Sequence, residues 1–126
     1  METKSRCGCG GGCTKNFIAL SCSGASDLGE LTDKVTRKIH SEMPNTSMKC
    51  LPKLGIGDQS LINAINKEQA LVIDGCPIDC GKKLMEKNGI TNFKHIRITD
   101  FGYVKGKTPV NAETVDKVFE EIIATL

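Results

Sequence analysis

Short apolar runs alternate with amphipathic segments of helical period along this chain, and this order restricts the fold more than any other feature. The predicted strands cover residues 17–20, 46–51, 70–73 and 95–98, and the first and third of these runs are wholly apolar. Each run is followed by a segment of helical period, so the element order is βαβαβαβα. Such an order predicts a parallel sheet with helices on both faces and right-handed crossovers. We therefore predict an α/β fold, a three-layer βαβ sandwich with a mainly parallel four-stranded sheet.

Turn and cap residues mark the ends of these segments. Asp27, followed three residues later by a glutamate, resembles a capping box at the start of the first helix. Pro77 suits the first position of the third helix, where its missing N–H costs nothing. Gly89 can close that helix with a positive φ. Polar and apolar residues alternate over 95–98, which predicts an edge strand. The predicted N-caps of the second and last helices are Ser60 and Asn111.

Composition excludes several classes of protein. The chain has 126 residues, enough for one domain, and its 17 basic and 15 acidic residues give a net charge of +2. This balance, with few aromatic residues, argues against a nucleic-acid partner. No apolar stretch approaches the roughly 18 residues of a membrane span, and no apolar signal core follows the first residues. We expect a cytoplasmic protein with no membrane partner, and the sequence does not identify a protein partner.

The first 15 residues differ in composition from the rest. They are polar and rich in glycine and cysteine, so we predict a disordered arm over 1–15 and one domain over 16–126. The arm carries Cys7, Cys9 and Cys13. These thiols have two interpretations: a soft-metal capture arm that serves the folded site, or a simple tail.

Four other cysteines stand where the predicted strands end. They are Cys22, Cys50, Cys76 and Cys80, called here the strand-end cysteines. Three of them follow the first three strands, and the fourth lies one helical turn after the third. Functional groups of open parallel sheets gather beyond the carboxyl ends of the strands. We therefore expect these thiols to converge at one edge of the sheet.

Four convergent thiolates favour a soft metal ion, and four sulfur ligands are the usual closed zinc site. In a reducing compartment, cysteines are metal ligands or reactive thiols more often than disulfides. Positions near helix N-termini favour the thiolate. Nearby Lys49, Lys53, Lys82 and Lys83 would offset the negative charge of such a site. The alternative is that each cysteine is a small buried hydrophobic residue.

Two further functions remain open from the residues alone. In a thiol-redox or sulfur-transfer protein, Cys76 or Cys22 would be a nucleophile of low pKa, and a second cysteine would resolve a disulfide or carry a persulfide. No histidine stands near a cysteine in the sequence, so no general base and no catalytic residue is assigned. In a soft-metal carrier or iron–sulfur protein, the N-terminal cysteines would also take part.

Among three other titratable residues, Asp74 is the candidate for the same edge of the sheet. Asp74 can orient backbone N–H groups or a ligand, or can simply form a turn with the following glycine. His95 is expected to be a solvated side chain on the edge strand rather than a ligand. His40, late on an amphipathic helix, is expected at the surface.

The segment Asp74-Gly75-Cys76-Pro77-Ile78-Asp79-Cys80 resembles the DGC-domain family, which takes its name from an Asp-Gly-Cys motif. The resemblance extends to residues 22–29 and 50–57, and more weakly to 95–102, within a span of about 16–107. It implies a zinc site made by four cysteines, which are Cys22, Cys50, Cys76 and Cys80 in this chain. It implies no reaction and says nothing about the N-terminal cysteines.

Overall fold

One parallel sheet organises the part of the chain that the computed structural model describes, residues 17–126. Its strands are β1 (Phe17–Ser21), β2 (Thr46–Met48), β3 (Ala70–Asp74) and β4 (Phe93–Arg97). They lie in the order β2-β1-β3-β4, and each neighbouring pair is parallel. The predicted fold class is confirmed, and β4 is an edge strand as expected.

Helices cover both faces of this sheet. They are α1 (Asp27–Glu42), α2 (Pro52–Gly55), α3 (Gln59–Lys67), α4 (Cys80–Lys87) and α5 (Ala112–Ile123), with a 3₁₀ helix at Ile98–Phe101. One apolar cluster joins the sheet to α1 and α5, and a second joins it to α2, α3 and α4. The two clusters are the cores on either side of a three-layer sandwich.

The central strand β3 shows why the sheet separates two cores. All five of its residues are buried. Because side chains alternate across a strand, Val72 joins the cluster with α4, whereas Leu71 and Ile73 join the cluster with α1 and α5. Fully burying one such side chain contributes about 1.5–3 kcal/mol. This two-sided burial fixes the direction in which the end of the strand, Asp74, can point.

Several predicted boundaries are wrong, and local hydrogen bonds give the reasons. The strand predicted over 46–51 ends at Met48, because the chain turns into the short helix α2. The N-cap of α1 is Ser26, whose hydroxyl accepts the Gly29 N–H at 3.0 Å, and not Asp27. Likewise α3 is capped by Asp58 rather than Ser60.

The carboxyl side of β3 differs most from the prediction. Pro77 does not begin a helix, since residues 75–79 form a turn and α4 starts at Cys80. Asp79, immediately before α4, takes the left-handed conformation with φ 57° and ψ 48°. Gly89 closes the helix with φ 70°, as predicted. Asn111 caps α5 as predicted, accepting the Thr114 N–H at 2.8 Å.

Residues 1–16 lie outside the described part of the chain. The predicted arm over 1–15, its boundary with the domain and the roles of Cys7, Cys9 and Cys13 therefore stay predictions. Among residues 17–126, no helix combines the length and the apolar character needed to cross a membrane.

Candidate functional site

All four strand-end cysteines line one cleft of about 910 Å³. This surface, called here the thiol cleft, lies at the carboxyl ends of β1, β2 and β3. Cys22 directly follows β1, Cys50 lies two residues beyond β2, and Cys76 lies two residues beyond β3. Cys80 is the first residue of α4. The sheet order explains the convergence, because β1 lies between β2 and β3.

Backbone hydrogen bonds continue past the strand ends and keep the cysteine-bearing segments side by side. The Cys22 N–H donates to the Ile73 carbonyl at 3.0 Å, which links the ends of β1 and β3. The Lys49 N–H donates to the Ala19 carbonyl at 3.1 Å, which links the ends of β1 and β2. Three loops therefore leave the sheet together, and each carries a thiol.

The four thiols differ in exposure and in contacts. Cys50 and Cys80 are exposed, Cys22 and Cys76 are half-buried, and all four are free rather than disulfide-bonded. The Cys22 sulfur accepts the Gly75 N–H at 3.4 Å and lies 3.9 Å from the Thr32 hydroxyl. Within residues 17–126, the sulfurs of Cys50, Cys76 and Cys80 make no hydrogen bond. Three of the thiols are therefore available to a group from outside the chain.

Burial raises the pKa of the Cys22 thiol. The hydrogen bonds from Gly75 and Thr32 act in the opposite direction, and the negative charges of Asp74 and Cys80 add to the increase. The environment therefore favours the protonated thiol. This raised pKa argues against Cys22, rather than Cys76, as the low-pKa nucleophile of the thiol-redox alternative.

The sulfurs share a cleft without being gathered around one point. Within the described chain, Asp74, Asp79 and His95 form the single group of three metal-ligating side chains whose ligand atoms all lie within 4.8 Å of one another. That group contains no cysteine. Sulfur ligands at about 2.3 Å from one zinc ion would stand closer to one another than this limit. The four-cysteine ligand set stays a prediction.

Cationic side chains that the sequence did not place near the cysteines also line the thiol cleft. They are Arg37 from α1 and Lys105 from the loop before α5. Arg37 pairs with Asp33, which lines the same cleft, at 2.9 Å. Of the four lysines expected there, only Lys49 lines the cleft, and Lys53 instead pairs with Asp58 at 3.6 Å.

Lys105 reaches the cleft because its loop is attached to the start of α1. The Asp27 carboxylate accepts the Gly106 N–H at 2.8 Å and the Thr108 N–H at 3.0 Å. These hydrogen bonds lower the pKa of Asp27. The partners lie about 80 residues apart in the sequence, so no local pattern could have predicted the contact.

His40 lies at the rim of the thiol cleft and is exposed, as predicted. Its Nδ1 lies 2.9 Å from the Thr46 carbonyl. A carbonyl only accepts, so Nδ1 carries the hydrogen in the neutral ring, and Nε2 makes no hydrogen bond within residues 17–126. The cleft therefore includes a base that was invisible in the sequence.

A second polar cluster lies beside the cleft and is called here the edge-strand network. Its members are Asp74, Asp79, His95 and Arg97. The His95 Nε2 lies 2.8 Å from the Asp74 carboxylate, and its side chain is 17% exposed, so the prediction of a solvated histidine is wrong. Asp74 orients backbone N–H groups, accepting from Gly81 at 2.8 Å and Lys82 at 3.1 Å.

The ligand atoms of this network are already engaged by the chain. Arg97 donates from Nε and Nη2 to the two oxygens of Asp79, at 2.8 and 2.5 Å. This bidentate ion pair lowers the pKa of Asp79. A cation at Asp79 would have to displace Arg97, so the cluster is an internal network rather than a metal site.

Comparisons with known proteins give one family and one relative. The family model of the DGC domain matches residues 18–122. A curated protein of Pseudomonas aeruginosa, named "Anaerobic and virulence modulator AnvM", is 23% identical over 108 residues. The alignment covers 83% of this chain and 81% of that protein. No solved structure matches the chain.

Proposed function

This chain belongs to the DGC domain family, and we propose that it is a metal-binding protein whose strand-end cysteines hold one zinc ion in a structural or regulatory role. The observation that carries this proposal is the position of the four cysteines. They come from three separate segments of the sequence, those that follow β1, β2 and β3, and all line the thiol cleft. If each cysteine were simply a small hydrophobic residue of the core, the four would not be expected to line one cleft.

The donor set suits the ion. Thiolates are soft ligands that select zinc over magnesium or calcium, and four of them complete a structural zinc site. Lys49 and Lys105 line the same cleft and would offset its negative charge, whereas Arg37 already pairs with Asp33. Because zinc replaces the proton of each thiol, binding does not require the thiols to be ionised beforehand.

The open arrangement of the thiols has a consequence for this function. Since the sulfurs are not gathered at coordination distance, Cys22, Cys50, Cys76 and Cys80 would have to move together to hold one ion. When bound, zinc would join the loops that follow β1, β2 and β3. Metal affinity would then include the free energy of closing these loops, as in other sites that couple metal binding to folding.

A regulatory role has some support beyond the cysteines. The Pseudomonas aeruginosa relative is described as a modulator, at 23% identity. Three loops and the start of α4 that close around a metal would give a metal-dependent surface.

Metal analysis combined with thiol counting tests the proposal. Protein purified without a chelator should contain one zinc ion per chain, and four thiols should react with a thiol reagent only after the zinc is removed. Colour, or more than one metal ion per chain, would instead indicate an iron–sulfur protein or a soft-metal carrier. Absence of bound metal with full thiol reactivity would contradict the proposal.

Thiol chemistry is the second candidate, and His40 favours it. A histidine with a free Nε2 lines the same cleft as Cys76, which supplies the base that the sequence lacked. In this alternative Cys76 is the nucleophile. The protein would then be metal-free and one thiol would react far faster than the others. Replacing His40 by Gln would slow that thiol, whereas zinc content would not depend on His40.

A further inference from the structure

The turn between β3 and α4 carries two of the strand-end cysteines. Cys76 lies within it and Cys80 follows it as the first residue of α4. The turn begins after Asp74 and ends at Asp79. Both carboxylates belong to the edge-strand network, and neither lines the thiol cleft. Residues 75–79 are called here the cysteine turn. The carboxylates at its two ends, Asp74 and Asp79, therefore make their contacts outside the cleft.

Asp74 fixes the start of the turn to the start of α4. Its side chain is 1% exposed, and its oxygens accept N–H groups from Gly81 and Lys82 in the first turn of the helix. Asp79, the residue that precedes α4, makes no side-chain cap. Asp74 therefore caps α4 from across the turn, and the position of Cys80 depends on this contact.

Asp79 closes the turn in an unfavourable backbone conformation. Its φ of 57° lies in the left-handed region, which aspartate adopts more readily than most residues but less readily than glycine. Its N–H donates to the Cys76 carbonyl at 3.2 Å, so its conformation and the position of Cys76 are linked. The bidentate Arg97 ion pair is what holds this residue in place.

One strand supplies both of these supports. In the register of the sheet, His95 stands beside Val72 and Arg97 beside Asp74. Residues two apart point to the same face of a strand, so both side chains extend from β4 toward α4. His95 contacts Asp74 at 2.8 Å and also lies 3.7 Å from Asp79, and Arg97 contacts Asp79. A single edge strand thus reaches both ends of the turn.

We propose that His95 and Arg97 are positioning residues that hold Cys76 and Cys80 at the thiol cleft, His95 through Asp74 and Arg97 through Asp79. The proposal concerns where these two thiols stand. It extends the proposed metal site to a supporting strand, and it holds equally if Cys76 acts as a nucleophile.

The test compares cysteines within one molecule. In metal-free Arg97→Met protein, well below its melting temperature, we expect alkylation of the half-buried Cys76 to quicken roughly tenfold relative to Cys50, as expected when a charge-assisted contact is lost. Peptide mass spectrometry resolves the two sites. Hydrogen exchange at residues 79–82 should quicken as well, while exchange in α1 should not change.

Two variants separate positioning from general loss of stability. Lys94→Met removes a cation from the opposite face of the same strand, where its Nζ donates to the Thr125 carbonyl at 2.8 Å, and it should leave the Cys76 to Cys50 ratio unchanged. Arg97→Lys keeps the charge but loses the bidentate geometry, so it should give an intermediate ratio. His95→Gln, which can still donate to Asp74, should change the ratio less than His95→Leu.

An unchanged ratio in both Arg97→Met and His95→Leu would overturn the proposal. An equal rise at all four strand-end cysteines would overturn it too, because this would mean global loosening. If Arg97→Met does not fold, Arg97→Lys decides the question by the same ratio. Zinc content of the unmodified protein is measured separately, so failure of the metal site and failure of the positioning role give different results.

Discussion

The thiol cleft and the edge-strand network lie at the same end of the sheet and share the segment 74–80, but they differ in how far the chain satisfies their polar groups. In the network, Asp74 and Asp79 accept hydrogen bonds from backbone N–H groups, a histidine and an arginine. In the cleft, the sulfurs of Cys50, Cys76 and Cys80 accept none from the described residues. The network is complete within the chain, whereas the cleft has ligand atoms to offer.

Physical chemistry explains the difference. A buried carboxylate without partners is very costly, so the fold must supply them wherever it buries one. A thiol is a weak donor and a weak acceptor, and it can stand at a cleft wall unpartnered at little cost. Substitutions in the network should therefore lower the stability of the metal-free protein. Substitutions of the thiols should instead affect what the cleft binds.

The largest expected effect is on metal binding, in Cys76→Ser. A serine hydroxyl stays protonated at neutral pH and is a hard donor, so zinc affinity should fall by about a thousandfold or more. The melting temperature of the metal-free protein should not change, because the Cys76 sulfur makes no hydrogen bond with any of residues 17–126. Zinc titration and thermal melting of the same sample measure both.

Ser23→Ala is the matched control, since Ser23 also lines the cleft but donates only to Asp33 at 3.1 Å. It should bind zinc as the unmodified protein does. Unchanged zinc affinity in Cys76→Ser would remove this residue from the ligand set and favour its role as a nucleophile.

In the network, Asp74→Asn should lower the free energy of unfolding of the metal-free protein by about 2–4 kcal/mol. The amide cannot accept from Gly81, Lys82 and His95 together, so buried donors lose their partner. Urea denaturation measures the loss. Asp100→Asn is the control, because the Asp100 side chain is 64% exposed and its contact with Arg97 is 3.4 Å long. Equal losses of unfolding free energy in the two variants would contradict the expectation that the buried network contributes more to stability than an exposed ion pair.

Gly81→Ala tests how tightly the network is packed. A Cβ on Gly81 would stand 2.5 Å from Val72 Cγ1 and 2.9 Å from Asp74 Oδ1. Relieving this overlap should cost about 1–3 kcal/mol of unfolding free energy. Gly55→Ala adds a Cβ with nothing within 4 Å, so it should be neutral or slightly stabilising. Equal unfolding free energies of Gly81→Ala and Gly55→Ala would show that a Cβ fits between Gly81 and Asp74 without overlap.

The smallest effect concerns pH and the loop that brings Lys105 to the cleft. Hydrogen bonds from Gly106 and Thr108 lower the pKa of Asp27, so its contribution to stability is present above the unfolded pKa of about 3.9 and is lost as pH falls through the folded value. The protection of the Gly106 and Thr108 amides against hydrogen exchange, taken relative to the intrinsic exchange rate at each pH, should therefore fall on acidification below about pH 4. Asp27→Asn should quicken the same exchange at neutral pH, and a loop that is equally protected in this variant would show that Asp27 does not hold it.

The sequence predicted the cleft better than it predicted the network. Strand ends are readable from apolar runs, and parallel topology then brings Cys22, Cys50 and Cys76 to one edge whatever the details of the loops. His95 was misread because alternation on an edge strand shows which residues share a face but not whether α4 covers that face. Lys105 was missed because only the hydrogen bonds to Asp27, far away in sequence, place its loop.

The edge strand β4 follows all four strand-end cysteines along the chain, and this order has a consequence for folding during synthesis. A ribosome synthesises β1, β2, β3 and α4 before β4, so all four strand-end cysteines precede His95 and Arg97 in the growing chain. Until β4 has left the ribosome and paired with β3, the cysteine turn lacks both supports. We expect the thiols of the nascent chain to be most exposed to metal ions and oxidants before β4 pairs with β3. Pairing of β4 should then reduce this exposure.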